Sequence, residues 1–143
     1  MALKHHHLLF QGRVGIEPES LDEEDLLIFL QDLLKAVNMN CLIQPQVRLS
    51  HEKAWTGIMG IITSHIAFHY WVDEKYLQLD IYSCKEFDRT KTIEFLEKFW
   101  KMNNSTALFI DREIGKNFEI GRIGSEKFWG KNEFRFRTSI NRI

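Results

Sequence analysis

The chain reads Thr63-Ser64-His65-Ile66-Ala67-Phe68-His69-Tyr70-Trp71 at the stretch that decides its fold. Apolar Ile66, Phe68 and Tyr70 alternate with the residues between them, and this period of two predicts a half-buried β-strand. A second alternating run, Tyr76–Tyr82, follows after the hairpin-length loop 72–75. The middle of the chain is therefore predicted to be a sheet.

Two apolar stripes at helical spacing lie on either side of this sheet region. Ser20-Leu21-Asp22-Glu23 has the form of a capping box, and leucines then recur at spacings of three and four as far as Val37. Asp88 or Thr90 is the predicted cap of a second helix that ends near Asn103. Further strands are predicted at 6–14, 41–49 with Pro45 at an edge or bend, 55–62, 106–110, 118–123 and 133–140. The predicted fold class is α+β, a two-layer sandwich with helices packed on one face of a mainly antiparallel sheet.

Composition limits the classes of function. With 143 residues, 44% of them hydrophobic, the chain is predicted to form one domain, 1–143. A net charge of -1 gives no field that favours nucleic acid or an anionic membrane, so we expect a small-molecule substrate. The chain has two cysteines, no secretory-type segment and no apolar run of membrane-spanning length, which favours a soluble, cytoplasmic protein with reduced thiols.

The first dozen residues allow two interpretations. The run of histidines at 5–7 and the segment Leu9-Phe10-Gln11-Gly12 look like fragments of a purification tag and protease site. The same residues also form a plausible first strand, which is the interpretation we favour.

The opening stretch also gathers reactive side chains, with two imidazoles close to Ser64 and the thiol of Cys84 twenty residues beyond it. Alternation puts Ser64 and His69 on opposite faces, so their cooperation requires a turn or bulge at Thr63–Ser64, as a strained, reactive peptide bond also would. Three interpretations stay open. His65 and His69 could bind a metal, although no third ligand stands at a recognisable spacing; they could be ordinary hydrogen-bonded histidines; or Ser64 could be a nucleophile with a histidine base and Cys84 as an acid.

A family resemblance changes the balance between these interpretations. The segment Ser64–Trp71, followed by Leu79-Asp80-Ile81-Tyr82-Ser83-Cys84, resembles the central motif of the bacterial and archaeal S-adenosylmethionine decarboxylases. That family typically shows Glu-Ser-His-Ile, His-Thr-Trp-Pro-Glu and Asp-x-Phe-Thr-Cys segments. The spacings from the serine to the histidine and to the cysteine fit without a gap, and the resemblance extends more weakly over residues 6 to 110.

The resemblance implies an enzyme that makes its own pyruvoyl cofactor, with no metal. Cleavage between Thr63 and Ser64 would give a β chain 1–63 and an α chain 64–143 that begins with the pyruvoyl group. The product of S-adenosylmethionine decarboxylation would supply polyamine (spermidine) biosynthesis. The resemblance also implies a homodimer in which sheets or sheet edges meet and some active-site residues lie near the interface.

Individual roles follow from the same resemblance. His69 would be the base in cleavage, Thr56 would supply an assisting hydroxyl, and Cys84 would return a proton to the substrate carbanion. Substrate binding is expected at Trp55, Trp71 and Asp73.

Several positions depart from the family pattern. Thr63 replaces a glutamate, Asp73 is one methylene shorter than the family's glutamate, and four other residues differ, namely Ala54, Trp55, Val72 and Lys85. None removes an atom that the core chemistry needs. Two alternatives therefore stay open: a divergent arginine or ornithine decarboxylase on the same scaffold, and an uncleaved relative that binds a ligand or another subunit without catalysis.

Overall fold

One antiparallel sheet of eight strands organises the part of the chain that the structure, a computed structural model, describes: residues 4–115, 117–124 and 134–137. The strands are β1 His6–Arg13, β2 Cys41–Leu49, β3 Ala54–Ile61, β4 Ser64–Trp71, β5 Tyr76–Ser83, β6 Ser105–Asp111, β7 Glu119–Gly124 and β8 Phe134–Arg137. The helices are α1 Glu23–Ala36 and α2 Arg89–Phe99. The spatial order is β2-β3-β4-β5-β1-β6-β7-β8, and every neighbouring pair is antiparallel.

Both helices pack on the same face of the sheet. Alternate residues of β4 point into this layer, where Ile66, Phe68 and Tyr70 are buried as the sequence pattern predicts. Phe29 of α1 contacts the ring of Phe68, while Trp100 at the end of α2 contacts Tyr70. This arrangement is the predicted α+β sandwich. We call the opposite face of the sheet, which no helix of the described residues covers, the open face.

The centre of the core is aromatic. Trp100 is fully buried and its indole contacts the rings of Phe29, Phe68, Tyr70 and Phe99. Gly57 of β3 makes room for this cluster, because a Cβ atom there would overlap the ring of Phe68.

The predicted start of α1 is wrong by two residues. The capping box is formed by Asp22 and Asp25, since Asp22 Oδ1 accepts from the Asp25 N–H at 2.9 Å and Asp25 Oδ2 accepts from the Asp22 N–H at 3.0 Å. Ser20 lies in a short 3-10 turn, and its hydroxyl donates to the carbonyl of Glu17 at 2.7 Å. The Ser20 hydroxyl is therefore already hydrogen-bonded one turn before α1, and the carboxylate of Asp22 caps the helix.

The second helix is capped by Asp88, whose Oδ1 accepts from the Lys91 N–H at 3.0 Å. It ends at Phe99, earlier than the predicted end near Asn103, because Trp100 turns into the core and Lys101 takes a left-handed φ of 50°. Of the predicted strand 133–140, residues 134–137 form β8 and the others lie outside the described residues.

Strand β1 lies in the middle of the sheet, hydrogen-bonded to β5 on one side and β6 on the other. The histidine-rich segment is thus an integral strand of the fold, as favoured from the sequence. No helix among the described residues is long and apolar enough to span a membrane.

His6 is a buried polar residue of this central strand, with 8% of its surface exposed. Its ring packs edge-on against Phe87 and Phe109, and its Nδ1 has no hydrogen-bond partner among the described residues. Burial lowers the pKa of His6, and this effect exceeds the opposing influence of the Asp111 and Glu86 carboxylates. The fold therefore holds the imidazole neutral.

This burial predicts a pH-dependent stability. Below the ordinary histidine pKa of about 6.5 the unfolded chain takes up a proton that folded His6 resists, so the free energy of unfolding falls as the pH is lowered from 7 to 5. His6→Phe keeps an aromatic ring and removes this titration. We expect a smaller slope of unfolding free energy against pH in urea titrations of this variant. His51→Phe, at an exposed position, is the matched control and should keep the wild-type slope. Equal slopes for wild type and His6→Phe would contradict the prediction.

Candidate functional site

The turn between β3 and β4 contains the peptide bond selected from the sequence. Ile61 pairs directly with Ser64, which leaves Ile62 and Thr63 as a two-residue connection. Ser64 has a φ of 157°, which L-residues rarely adopt. A turn is therefore present at Thr63–Ser64, as the hypothesis of a reactive peptide bond requires.

The carbonyl of Thr63 is held from the end of the neighbouring strand. The N–H of Cys84 donates to the Thr63 oxygen at 2.9 Å. The Thr63 side chain is held too: its Oγ1 accepts from the Ser83 hydroxyl at 2.9 Å and donates to the sulfur of Met39 at 3.5 Å. The Lys85 N–H donates to Ser83 Oγ at 3.0 Å. A donor aimed at a carbonyl oxygen polarises its carbon toward attack by a nucleophile.

Thr56 and His69 form a second pair of candidate side chains. They face each other across β3 and β4, and Thr56 Oγ1 lies 3.0 Å from His69 Nδ1. His69 is exposed, and its ring lies 5.6 Å from that of Trp71 two residues along the strand. This pair lies on the open face.

The fold brings Ser64 close to Cys84 but does not bring it close to His69. Ser64 begins β4, and His69 is five residues further along the same strand, or about 16 Å at the usual rise. Register also places Ser64 opposite buried Ser83, on the helix side of the sheet, whereas His69 points away from the helices. Within one chain, the hydroxyl of Ser64 and the imidazole of His69 are therefore separate.

The three residues expected to bind substrate lie at the end of β4 that is far from Ser64. Trp55 and Asp73 line a groove of about 720 Å³, in which Lys53 Nζ stands 3.7 Å from Asp73 Oδ1. Trp71 is on the open face, where its indole N–H donates to Gln78 Oε1 at 3.5 Å. These three residues therefore lie toward the end of β4 that carries His69, and not at the end that carries Ser64.

Comparison with known proteins decides the family. The family model described as S-adenosylmethionine decarboxylase matches residues 7–113, from β1 to the residues just after β6. The chain belongs to this family. It is 29% identical over 102 residues to the S-adenosylmethionine decarboxylase proenzyme of Sulfurihydrogenibium sp., covering 70% of this chain and 76% of that protein. It is 27% identical over 108 residues to the proenzyme of Methanococcus maripaludis, covering 74% of this chain and 88% of that protein.

The fold agrees with a solved member of the family. The crystal structure of the adenosylmethionine decarboxylase of Aquifex aeolicus superposes with a TM-score of 0.65 at 20% sequence identity. The likeness covers 81% of this chain and 96% of that one. The two-layer arrangement is therefore that of an S-adenosylmethionine decarboxylase.

This family member carries a further cluster that the sequence did not reveal. His7 of β1, His65 of β4 and Asp80 of β5 meet on the open face, and we call them the histidine–aspartate cluster. Asp80 Oδ2 lies 2.9 Å from His7 Nε2 and 3.2 Å from His65 Nε2. Partial burial disfavours the ionised carboxylate, but the hydrogen bonds from His7 and His65 outweigh burial, so the pKa of Asp80 lies below its usual value.

The register of three strands explains why this cluster was missed. From the sequence no third ligand accompanies His65, since His7 is 58 positions earlier and Asp80 is 15 positions later. His65 and His7 both pair with Tyr82, on its two sides, and Asp80 is two residues before Tyr82 on the same face. Only the order β4-β5-β1 brings them together, and short-range spacing carries no signal of it.

Proposed function

We propose that this family member is a pyruvoyl-dependent decarboxylase of S-adenosylmethionine, formed by self-cleavage between Thr63 and Ser64, whose product supplies polyamine biosynthesis. The observation that carries the proposal is the hydrogen bond of 2.9 Å from the Cys84 N–H to the Thr63 carbonyl. This hydrogen bond supports the proposal because it polarises the carbonyl that directly precedes the serine.

Cleavage would use the chain's own atoms. Ser64 Oγ attacks the carbonyl carbon of Thr63, charge develops on the oxygen that the Cys84 N–H already contacts, and the peptide becomes an ester as the Ser64 nitrogen is released. A base then removes the Ser64 α-proton and the ester is eliminated, leaving Thr63 with a free carboxylate. The dehydroalanine that remains at position 64 hydrolyses with loss of ammonia, which gives the pyruvoyl group.

The surroundings of residue 64 fit such a group. Residue 64 is half-buried at the start of β4, and the backbone N–H of Cys84 donates to the carbonyl of the preceding residue, Thr63. A pyruvoyl group supplies a ketone that takes up the substrate amine and withdraws the electrons released with carbon dioxide. The half-buried thiol of Cys84 would hold the proton that the product carbon receives, since a positioned thiol can act as a general acid.

A homodimer would complete the site. Because His69 and Ser64 are separate within one chain, a second copy must bring its Thr56–His69 pair to the Ser64 end. The open face suits such an association: it carries the exposed apolar side chains of Leu9 and Ile58 around a groove of about 650 Å³ that includes Thr56 and His69. Antiparallel stacking of two open faces would bring the end of β4 that carries Trp71 and Asp73 in one copy to the end of the sheet at which residue 64 of the other begins β4.

Self-cleavage is tested by substitution of Ser64. Ser64→Ala should abolish cleavage, because the alanine has no hydroxyl to attack the Thr63 carbonyl. Intact-mass spectrometry should show fragments 1–63 and 64–143 for wild type and one full-length species for the variant, with unchanged circular dichroism. Ser83→Ala, which removes the neighbouring hydroxyl that donates to Thr63 Oγ1, should still cleave. Two fragments from Ser64→Ala, or a wild type that stays whole after long incubation, would contradict the proposal.

The shared site is tested by mixing two defective chains. Ser64→Ala retains Thr56 and His69, whereas His69→Gln retains the scissile serine. Each alone should cleave at least about 100-fold more slowly than wild type, since an essential group is lost. After co-expression, half-sites should combine in mixed dimers, and fragments should arise from the His69→Gln chain only. The same yield of fragments from His69→Gln expressed alone and in the mixture would contradict a site built from two subunits.

The substrate is tested by carbon dioxide release. We expect release from carboxyl-labelled S-adenosylmethionine and none from arginine or ornithine. Cys84→Ala keeps the backbone N–H, so it should still self-cleave while its rate of release falls by about 100-fold or more. Release from arginine or ornithine alone would establish the divergent-substrate alternative, and cleaved protein that releases nothing from all three would refute the decarboxylase proposal.

A further inference from the structure

We propose that His7, His65 and Asp80 bind a divalent transition-metal ion of the zinc class on the open face of the sheet. The proposal does not depend on self-cleavage or on decarboxylation. Two imidazoles and one carboxylate are a donor set that zinc, cobalt(II) and iron(II) accept, and three protein ligands leave further positions of the ion open.

The three ligand atoms converge on one point. Both Nε2 atoms approach the same oxygen of Asp80, at 2.9 Å from His7 and 3.2 Å from His65, and all three atoms lie within 4.8 Å of one another. Bonds of about 2.0–2.1 Å to one tetrahedral ion place neighbouring ligand atoms about 3.3 Å apart. Small side-chain rotations are therefore sufficient for an ion to enter.

The backbone holds the ligands in place before an ion binds. They come from three adjacent strands in the middle of the sheet, where the β4–β5 and β5–β1 registers are unbroken. The imidazole rings of His7 and His65 are nearly perpendicular, at 87°, which aims both at the carboxylate. In one copy of the chain their side chains are 19% and 43% exposed and that of Asp80 is 30% exposed, so an ion can enter from solvent before two copies associate, while the ligands keep most of their packing.

The hydrogen bonds of the cluster determine which ring nitrogen of His7 and His65 carries the proton before and after an ion binds. Ionised Asp80 only accepts hydrogen bonds, so in the ion-free protein each Nε2 carries the proton that it shares with Oδ2. An ion takes the place of these two protons, and each neutral ring then carries its proton on Nδ1. For His7 this change sets an N–H toward Arg112, whose Nη1 lies 3.5 Å from Nδ1 while its guanidinium covers the ring of Tyr82. Arg112 therefore opposes binding, both as a donor and as a positive charge.

Cobalt(II) titration of the full chain, purified without an affinity tag, tests the site. We expect visible ligand-field bands at one equivalent, and displacement of cobalt by zinc. Asp80→Asn, His65→Gln and His7→Gln should each weaken binding by more than about 100-fold, because each removes a ligand. Arg112→Gln should tighten binding by at least about tenfold, because it removes the charge and offers an amide oxygen to His7 Nδ1.

Two histidine variants are matched controls. His51→Gln, in an exposed turn, and His5→Gln, in the same histidine run as His7, should bind within about threefold of wild type. If Asp80→Asn fails to fold by circular dichroism, the more exposed His65→Gln decides. Absence of ligand-field bands in wild type would overturn the proposal. It would equally be overturned if His5→Gln weakened binding as much as His7→Gln while Asp80→Asn did not, since that result indicates chelation by the N-terminal histidines alone.

Discussion

The unbroken antiparallel register between β4 and β5 is the constraint on which the rest of the molecule depends. Ser64 pairs with Ser83 and Trp71 pairs with Tyr76, with every residue between them in step. A slip of one residue would send Ile66, Phe68 and Tyr70 to solvent and bring the histidines into the core. The same register sets the Cys84 N–H beside the Thr63 carbonyl. Burial of one strand face thus fixes the position of the turn at Thr63–Ser64.

The parts of the fold that follow from periodicity could be predicted from the sequence. The face assignment of β4 was correct, because alternation over eight residues is a strong signal. Both bounds of β2 were correct as well. The helix ends were harder to predict. Ser20 and Asp22 are both residue types that cap helices well. The sequence alone does not show that the Ser20 hydroxyl donates instead to the carbonyl of Glu17. Local competition between neighbouring polar groups decided that boundary.

Some contacts of the candidate site could likewise be predicted from the sequence, and others could not. Ser64 and Cys84 could be paired in advance because they lie at the same end of one hairpin, where strand register alone brings them together. The association of His7 with Asp80 could not be predicted, because it requires β1 to insert between β5 and β6. That strand order depends on the packing of the whole sheet. The departures from the family pattern also gain a physical meaning. Thr63 supplies a hydroxyl that joins Ser83 and Met39, so its side chain helps to hold the turn.

The charges of the open face bear on whether a second copy can cover it. Burying an ionised carboxylate without partners costs several kcal/mol, which would oppose a dimer formed through this face. Asp80 is not in that position, because His7 and His65 already donate to it within one chain. Arg112 lies against the ring of Tyr82, which lowers the cost of removing its charge from water. Hydrogen bonds within one chain therefore satisfy the Asp80 carboxylate, and two copies can meet at this face without either having to supply a donor to it from the other side.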